Sequence, residues 1–261
     1  MIPFDYRVRP ELLLEELRDV WVTSSPDKDV GAFLEDCRRR PHTGLHMCIL
    51  SLLEQFVPAY EAHGILGMYP MHLLGRRQWA QILPPHVRGG ALLDIGAGQG
   101  FVTEHARELF SRIVVTETAP SMVRRLQDRG FEAHTIDLTI SPNAFPEAPF
   151  EVVSILNVLD RCEQPLTLLT SALRFLSKDG CIIISDPLPI AQRVRGVPNA
   201  VTESIGGARD TWEESLSNFY QTTIAPLGLT PIYATRLPYI YKSSGAEPYV
   251  ILDDFVLVCK K

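Results

Sequence analysis

From residue 91 onward, short apolar runs alternate with stretches in which apolar residues recur every three or four positions. The two periods predict strands and helices in turn. Strands are predicted at 91–95, 112–116, 132–136, 150–156, 181–185, 229–235 and 250–258. Helices are predicted at 101–110, with Val102, Ala106, Leu109 and Phe110 on one side, and at 121–129, 165–177 and 212–227. Pro165 suits a first helical turn, and Leu166, Leu169, Leu173 and Leu176 follow on one face. Lys178-Asp179-Gly180 reads as a turn, 145–149 as a loop, and 187–209 as a mobile or substrate-facing loop. Alternating strands and helices describe an α/β doubly wound domain.

Residues 1 to about 87 carry helical patterning, in 11–17 behind Pro10, at Ala32-Phe33-Leu34 and over 45–57. Pro84-Pro85 marks a boundary, giving an N-terminal helical cover over 1–87 and a catalytic domain over 88–261. The stretch 68–77, ending Gly75-Arg76-Arg77, is expected to lie over a ligand cleft with Arg76 or Arg77 near a bound carboxylate. The alternative is a pair of solvated helix arginines.

The strand at 91–95 runs through Asp94 into Gly96-Ala97-Gly98-Gln99-Gly100. Gly96 permits a tight turn, Gly98 lets the backbone approach a ligand, and Gly100 lets the helix pack close to the strand. The spacing is G-x-G-x-G, tighter than the dinucleotide pattern G-x-G-x-x-G. With Asp94 just before it, the turn resembles motif I of class I S-adenosylmethionine-dependent methyltransferases. That resemblance implies a Rossmann-like, seven-stranded, mostly parallel sheet whose last strand is antiparallel. It also implies S-adenosylmethionine as cofactor, bound by Asp94, Gly96, Ala97, Gly98 and Gly100. Glu117 ends the next strand, where an ionised carboxylate can accept hydrogen bonds from two vicinal ribose hydroxyls. Asp137 ends the third, placed for an adenine amino group. The bland alternative is a turn without ligand and a surface glutamate.

Open α/β sheets place their chemistry beyond the carboxyl ends of the strands. The fourth strand delivers Asn157-Val158-Leu159-Asp160-Arg161-Cys162 there. With Gly75-Arg76-Arg77, the glycine turn, Leu159-Asp160-Arg161-Cys162-x-Gln164-Pro165-Leu166-Thr167-Leu168-Leu169, Arg236-Leu237-Pro238-Tyr239 and Leu252-Asp253-Asp254, the chain resembles the DREV family, methyltransferase-like protein 9, from about residue 45 onward. Gln99 stands where that family has an acidic residue, and Tyr249-Val250 where it has Tyr-Tyr.

The resemblance implies methyl transfer to the pros nitrogen, Nδ1, of histidines in His-x-His-type sequences of target proteins. Asp160 and Asn157 are the expected catalytic residues. Asn157, Asp160, Arg161, Tyr239 and Tyr249 are expected at the substrate, and Asn157 also at the cofactor. A carboxylate that accepts the imidazole Nε2–H leaves the Nδ1 lone pair free, and stabilises the charge that develops on the ring. Each residue has a plainer reading: Asp160 as a helix cap, the tyrosines as packing. A small-molecule methyltransferase on the same scaffold and a non-catalytic binding module remain open.

Composition narrows the partners. Of 261 residues, 46% are hydrophobic and 21% charged, ordinary for a globular chain. The net charge of −6 argues against phosphate-driven nucleic-acid binding. Five cysteines without a C-x-x-C pair read as reduced thiols, and His42 with His46 makes a poor metal site, so no metal is expected. The run 45–57 is too short and too polar to span a bilayer. A cytoplasmic monomer is expected for the chain as given, since residues 1–10 carry no secretory pattern.

Overall fold

A strand covered on both faces has no polar side to show, so its sequence is apolar nearly throughout. Leu92, Leu93, Val152, Val153, Ile182, Ile183 and Ile184 are such positions, each fully buried. A computed structural model describes residues 4–145, 149–194 and 200–261 and places these runs in one sheet. The chain begins with α1 (Glu15–Arg18), α2 (Lys28–Arg39), α3 (Gly44–Leu53) and α4 (Ala59–Leu66). Strand β1 (Met71–His72) and α5 (Arg76–Ile82) follow. The winding then runs through β2 (Ala91–Ile95), α6 (Phe101–Glu104), β3 (Arg112–Glu117), α7 (Pro120–Asp128) and β4 (Glu132–Thr135). It continues through β5 (Phe150–Leu156), α8 (Pro165–Phe175) and β6 (Leu176–Pro187). It closes with α9 (Trp212–Phe219), β7 (Thr230–Lys242) and β8 (Tyr249–Lys260).

The strand order is β1-β7-β8-β6-β5-β2-β3-β4. Strands β2 to β6 pair in parallel, and β8 runs antiparallel between β6 and β7. This is the Rossmann-like sheet of seven strands with its last strand reversed, extended by β1. Alternate side chains go to opposite layers. Leu93, Val153, Ile184 and Phe255 pack with Leu169, Leu216 and Phe219 on one face. Leu92, Val152, Ile183 and Val256 pack with Trp79, Ile82 and Val102 on the other. The chain winds from β2 outward to β4, then returns to β5 and winds the other way. The carboxyl ends of β2 and β5 therefore flank the crevice where such sheets bind ligands.

Several elements differ from the pattern-based expectation. Within 68–77, expected as a cover without an assigned strand, Met71 and His72 pair with Tyr241 and Ile240, because β7 runs well past residue 235 and offers a free edge. The helix expected at 101–110 is α6 plus a separate 3-10 turn, Arg107–Leu109. The one expected at 212–227 is α9, a wider π turn (Tyr220–Ile224) and a tight turn (Ala225–Leu227) containing Pro226, which has no N–H to continue the ladder. Residues 178–180 lie within β6, across a register shift opposite Phe150 and Val152. The loops expected at 145–149 and 187–209 fall partly outside the described residues. The N-terminal stretch is bound into the body: Leu13 and Leu17 join the first core layer, and Val22 N–H donates to Ala234 O at 2.9 Å.

Candidate active site

The glycine turn is shaped by what surrounds it. Gly96, Gly98 and Gly100 all have positive φ (74°, 58° and 78°). A Cβ on Gly96 would lie 2.5 Å from Val158 Cγ2, and one on Gly100 2.8 Å from Leu126 Cδ2. A Cβ on Gly98 would meet only Met71 Cε, at 3.7 Å, so the space above Gly98 is the open one. Ala97, half-buried between them, donates its N–H to Thr116 O at 3.2 Å.

Asp94 is buried, and both its oxygens are occupied within the protein. Ser154 Oγ donates to Oδ1 at 2.6 Å and Thr103 Oγ1 to Oδ2 at 2.5 Å. Burial pushes its pKa up, against those two hydrogen bonds. Asp94 thus ties the end of β2 to β5 and α6. Glu117, half-buried at the end of β3, accepts from Gly98 N–H at 2.7 Å and Thr118 N–H at 3.0 Å. Burial raises its pKa and these donors oppose the rise. A carboxylate with two oxygens has lone pairs left for a diol. Asp137 lies two residues past β4, where Oδ1 accepts from Thr139 N–H and Oγ1 at 2.9 and 2.6 Å.

A second group gathers beyond β5. Asn157 has φ 57°, rare for a non-glycine residue, and is 5% exposed. Its N–H donates to Ser185 O at 2.7 Å and its Nδ2 to Asp254 Oδ2 at 2.6 Å. A 3-10 turn, Leu159–Arg161, then presents Asp160, 9% exposed. Among the described residues no N–H or hydroxyl donor reaches Asp160 Oδ1; Arg161 Nε lies 3.4 Å away without hydrogen-bond geometry. Arg161 also lies over the Tyr239 ring, 5.7 Å from its centroid. Tyr239 is buried and donates its hydroxyl to Met71 Sδ at 3.4 Å, and burial raises its pKa. Arg193 N–H donates to Asp160 O at 2.7 Å, so part of the 187–209 segment runs against this turn.

Two further carboxyl groups belong here that sequence reasoning missed. Asp186 on β6 and Asp254 on β8 are fully buried. Asp186 Oδ1 accepts from Asp160 N–H at 3.4 Å. Burial first, then the neighbouring Asp160 charge and a side-chain hydrogen bond shared with Asp160, raise Asp186 well above the usual carboxylate range. Asp254 Oδ2 accepts from Asn157 and, at 3.0 Å, from Ser185 Oγ, while Oδ1 meets no donor among the described residues. Burial pushes Asp254 up to about 8 despite those bonds. Asp254 could have been singled out from its neighbour: adjacent strand residues face opposite layers, and Asp253 pairs with Arg236 instead. Asp186 gave no such signal.

Two expected residues lie elsewhere. Arg76 is exposed at the start of α5, its Nη1 3.8 Å from Glu108 Oε1, while Arg77 Nη2 donates to Ser25 Oγ at 2.7 Å. Asp27 and Asp29 accept from the first main-chain N–H groups of α5, which fixes the helix with both arginines outward. Tyr249 pairs with Lys242, five residues along β8 from Asp254, or about 17 Å at strand rise. Its hydroxyl accepts from Arg38 Nη2 at 3.2 Å, because α2 covers that end of the sheet. The contacts over the turn come instead from Met71 and Gln99, whose Nε2 donates to Met68 O at 2.6 Å. His46 caps α3 with Thr43, and His42 Nε2 accepts from Tyr69 N–H at 3.3 Å, so both imidazoles have structural work.

The DREV methyltransferase family model matches residues 6–261, nearly the whole chain. The protein belongs to that family. Membership makes it a methyltransferase. Among solved structures it is similar to the N-methyltransferase NodS from Bradyrhizobium japonicum WM9 with S-adenosyl-l-homocysteine, at 13% identity, covering 71% of this chain and 85% of that one, TM-score 0.47. It is also similar to a TehB-like SAM-dependent methyltransferase from Corynebacterium glutamicum, at 18% identity over 72% and 87%, TM-score 0.46. A putative methyltransferase from Bacillus halodurans C-125 matches at 12% identity over 71% and 98%, TM-score 0.48. Likenesses of this size say nothing about substrate. Among the described residues no helix is long and apolar enough to cross a membrane, and no group of three metal-ligating side chains is assembled.

Proposed function

We propose that this methyltransferase uses S-adenosylmethionine and transfers its methyl group to Nδ1 of histidine in His-x-His-type sequences of other proteins. The residues fit that cofactor. The open space above Gly98 suits a ligand's close approach, the main chain of Gly96 to Gly100 would hold its amino-acid end, and Glu117 would accept its ribose hydroxyls. Asp137 stands two residues past the third parallel strand, where adenine would lie. Bound there, the cofactor supplies a methyl carbon whose leaving group is a neutral thioether.

The observation that carries the histidine reading is Asp160 Oδ1, a buried carboxyl oxygen that no N–H or hydroxyl donor reaches among the described residues, just past β5 at the crevice. A desolvated acceptor of this kind is costly unless a ligand's N–H completes it. A neutral imidazole offers one N–H and one lone pair. With Nε2–H donated to Asp160, the lone pair stays on Nδ1, and the carboxylate stabilises the imidazolium and takes the Nε2 proton once the N–C bond has formed. Arg161, beside Asp160 and Tyr239, supplies a positive charge that favours the ionised carboxylate.

Incubation with methyl-13C cofactor and a His-x-His peptide, followed by NMR identification of the modified nitrogen, tests this reading. The expected product carries the label on Nδ1. Label on another group, or only on small molecules of a metabolite extract, would overturn it.

A further inference from the structure

Asn157 is held in an unusual way. Its backbone is left-handed, its N–H is fixed by Ser185 O at 2.7 Å, and its side-chain amide is fixed by Asp254. Asparagine is among the residues that tolerate this conformation, but the amide could still rotate about its last bond. Asp254 removes that freedom. Oδ2 takes the amide N–H at 2.6 Å and the Ser185 hydroxyl at 3.0 Å, and both Asp254 and Ser185 are fully buried. With Nδ2 committed, the other end of the amide, Oδ1, is the end left to meet a ligand.

We propose that Asp254, seated by Ser185, is a positioning residue that locks the Asn157 side chain so that its carbonyl oxygen faces the methyl acceptor beside Asp160. This rests on the histidine reading for the identity of the acceptor, though not for the lock itself. The lock needs a hydrogen-bond acceptor at Asp254 and does not need a charge. Asp253, its neighbour, is on the opposite face and paired with Arg236, so the assignment is specific to one of the two acids.

The lock predicts a pattern that a purely structural carboxyl group would not give. Asp254→Asn keeps an oxygen for both donors and should retain kcat within about threefold. Asp254→Leu, similar in shape and without an acceptor, should lose about tenfold or more in kcat, the size of one buried hydrogen bond. Calorimetric affinity for S-adenosylmethionine should stay within about twofold in both. In an Asn157→Ala background, Asp254→Leu should cost nothing further, since the residue it acts through is gone. Equal losses in the Asn and Leu variants, or a full additional tenfold loss in the double variant, would overturn the proposal.

Hydrogen exchange of the Asn157 side-chain NH2, assigned by its disappearance in Asn157→Asp, reads the lock without any substrate. Slow exchange in the wild type and in Asp254→Asn is expected; exchange as fast as in free asparagine overturns the lock even where Asp254→Leu fails to fold. Slow exchange combined with no transfer to a His-x-His peptide would leave the lock standing and the histidine reading refuted.

Discussion

Gly96 and Gly98 share a left-handed backbone for different reasons, and substitution separates them. Alanine at either position meets the backbone penalty of about 1–2 kcal/mol. At Gly96 it also collides with Val158, so Gly96→Ala should be less stable than Gly98→Ala by roughly 1–3 kcal/mol in urea denaturation. Gly98→Ala should instead keep most of its stability and lose cofactor affinity by calorimetry. Equal stabilities would contradict this division. The acceptor side makes a second prediction. Imidazolium has no free lone pair, so transfer under chemistry-limited conditions should fall as pH drops through the substrate histidine's pKa, roughly 6.5 for a free side chain. A rate unchanged from pH 5 to 8 would count against an imidazole nucleophile. Asn157 and Asp160 were legible because polar residues follow a largely apolar strand. Asp186 and Asp254 were not, since each lies within a strand rather than past its end and reaches Asn157 or Asp160 only through pairing of β5, β6 and β8.

The elements that hold these residues were legible where one period ran without interruption, as in β2, β3 and β5. They were obscured where tertiary pairing overrode the local pattern. Pro238 interrupts the apolar run of β7, yet the strand continues because β8 pairs along its whole length. The short β1 exists only as an addition to that extended edge, which no local signal announces. Its consequence is a cover joined to the glycine turn by Gln99, Met71 and Trp79, whose Nε1 donates to Val102 O at 3.1 Å. Gln99→Ala removes the bond to Met68 O and should cost about 1 kcal/mol of stability. It should also weaken cofactor binding several-fold in the same titration. An unchanged affinity would separate the cover from the binding site.

For the molecule as a whole, buried carboxyl groups couple folding to pH. Burial raises Asp254 from its ordinary 3.8 to about 8 in the folded protein. The unfolded chain therefore loses that proton first, and stability present below about pH 4 declines as pH rises toward 8. Asp254→Asn cannot titrate, so its melting temperature should gain on the wild type between pH 5 and 8. Parallel curves would show that Asp254 ionises normally. The doubly wound architecture was readable from alternating periods alone. The carboxyl cluster is a property of the assembled sheet, since Asp160, Asp186 and Asp254 are distant in sequence.

The role of Asp160 turns on single-turnover methylation of a His-x-His peptide by wild type and Asp160→Ala, with cofactor affinity measured in parallel. Transfer should fall by at least about a hundredfold, the scale of general acid–base catalysis, with cofactor affinity within about twofold. Transfer by Asp160→Ala at the wild-type rate would contradict that role.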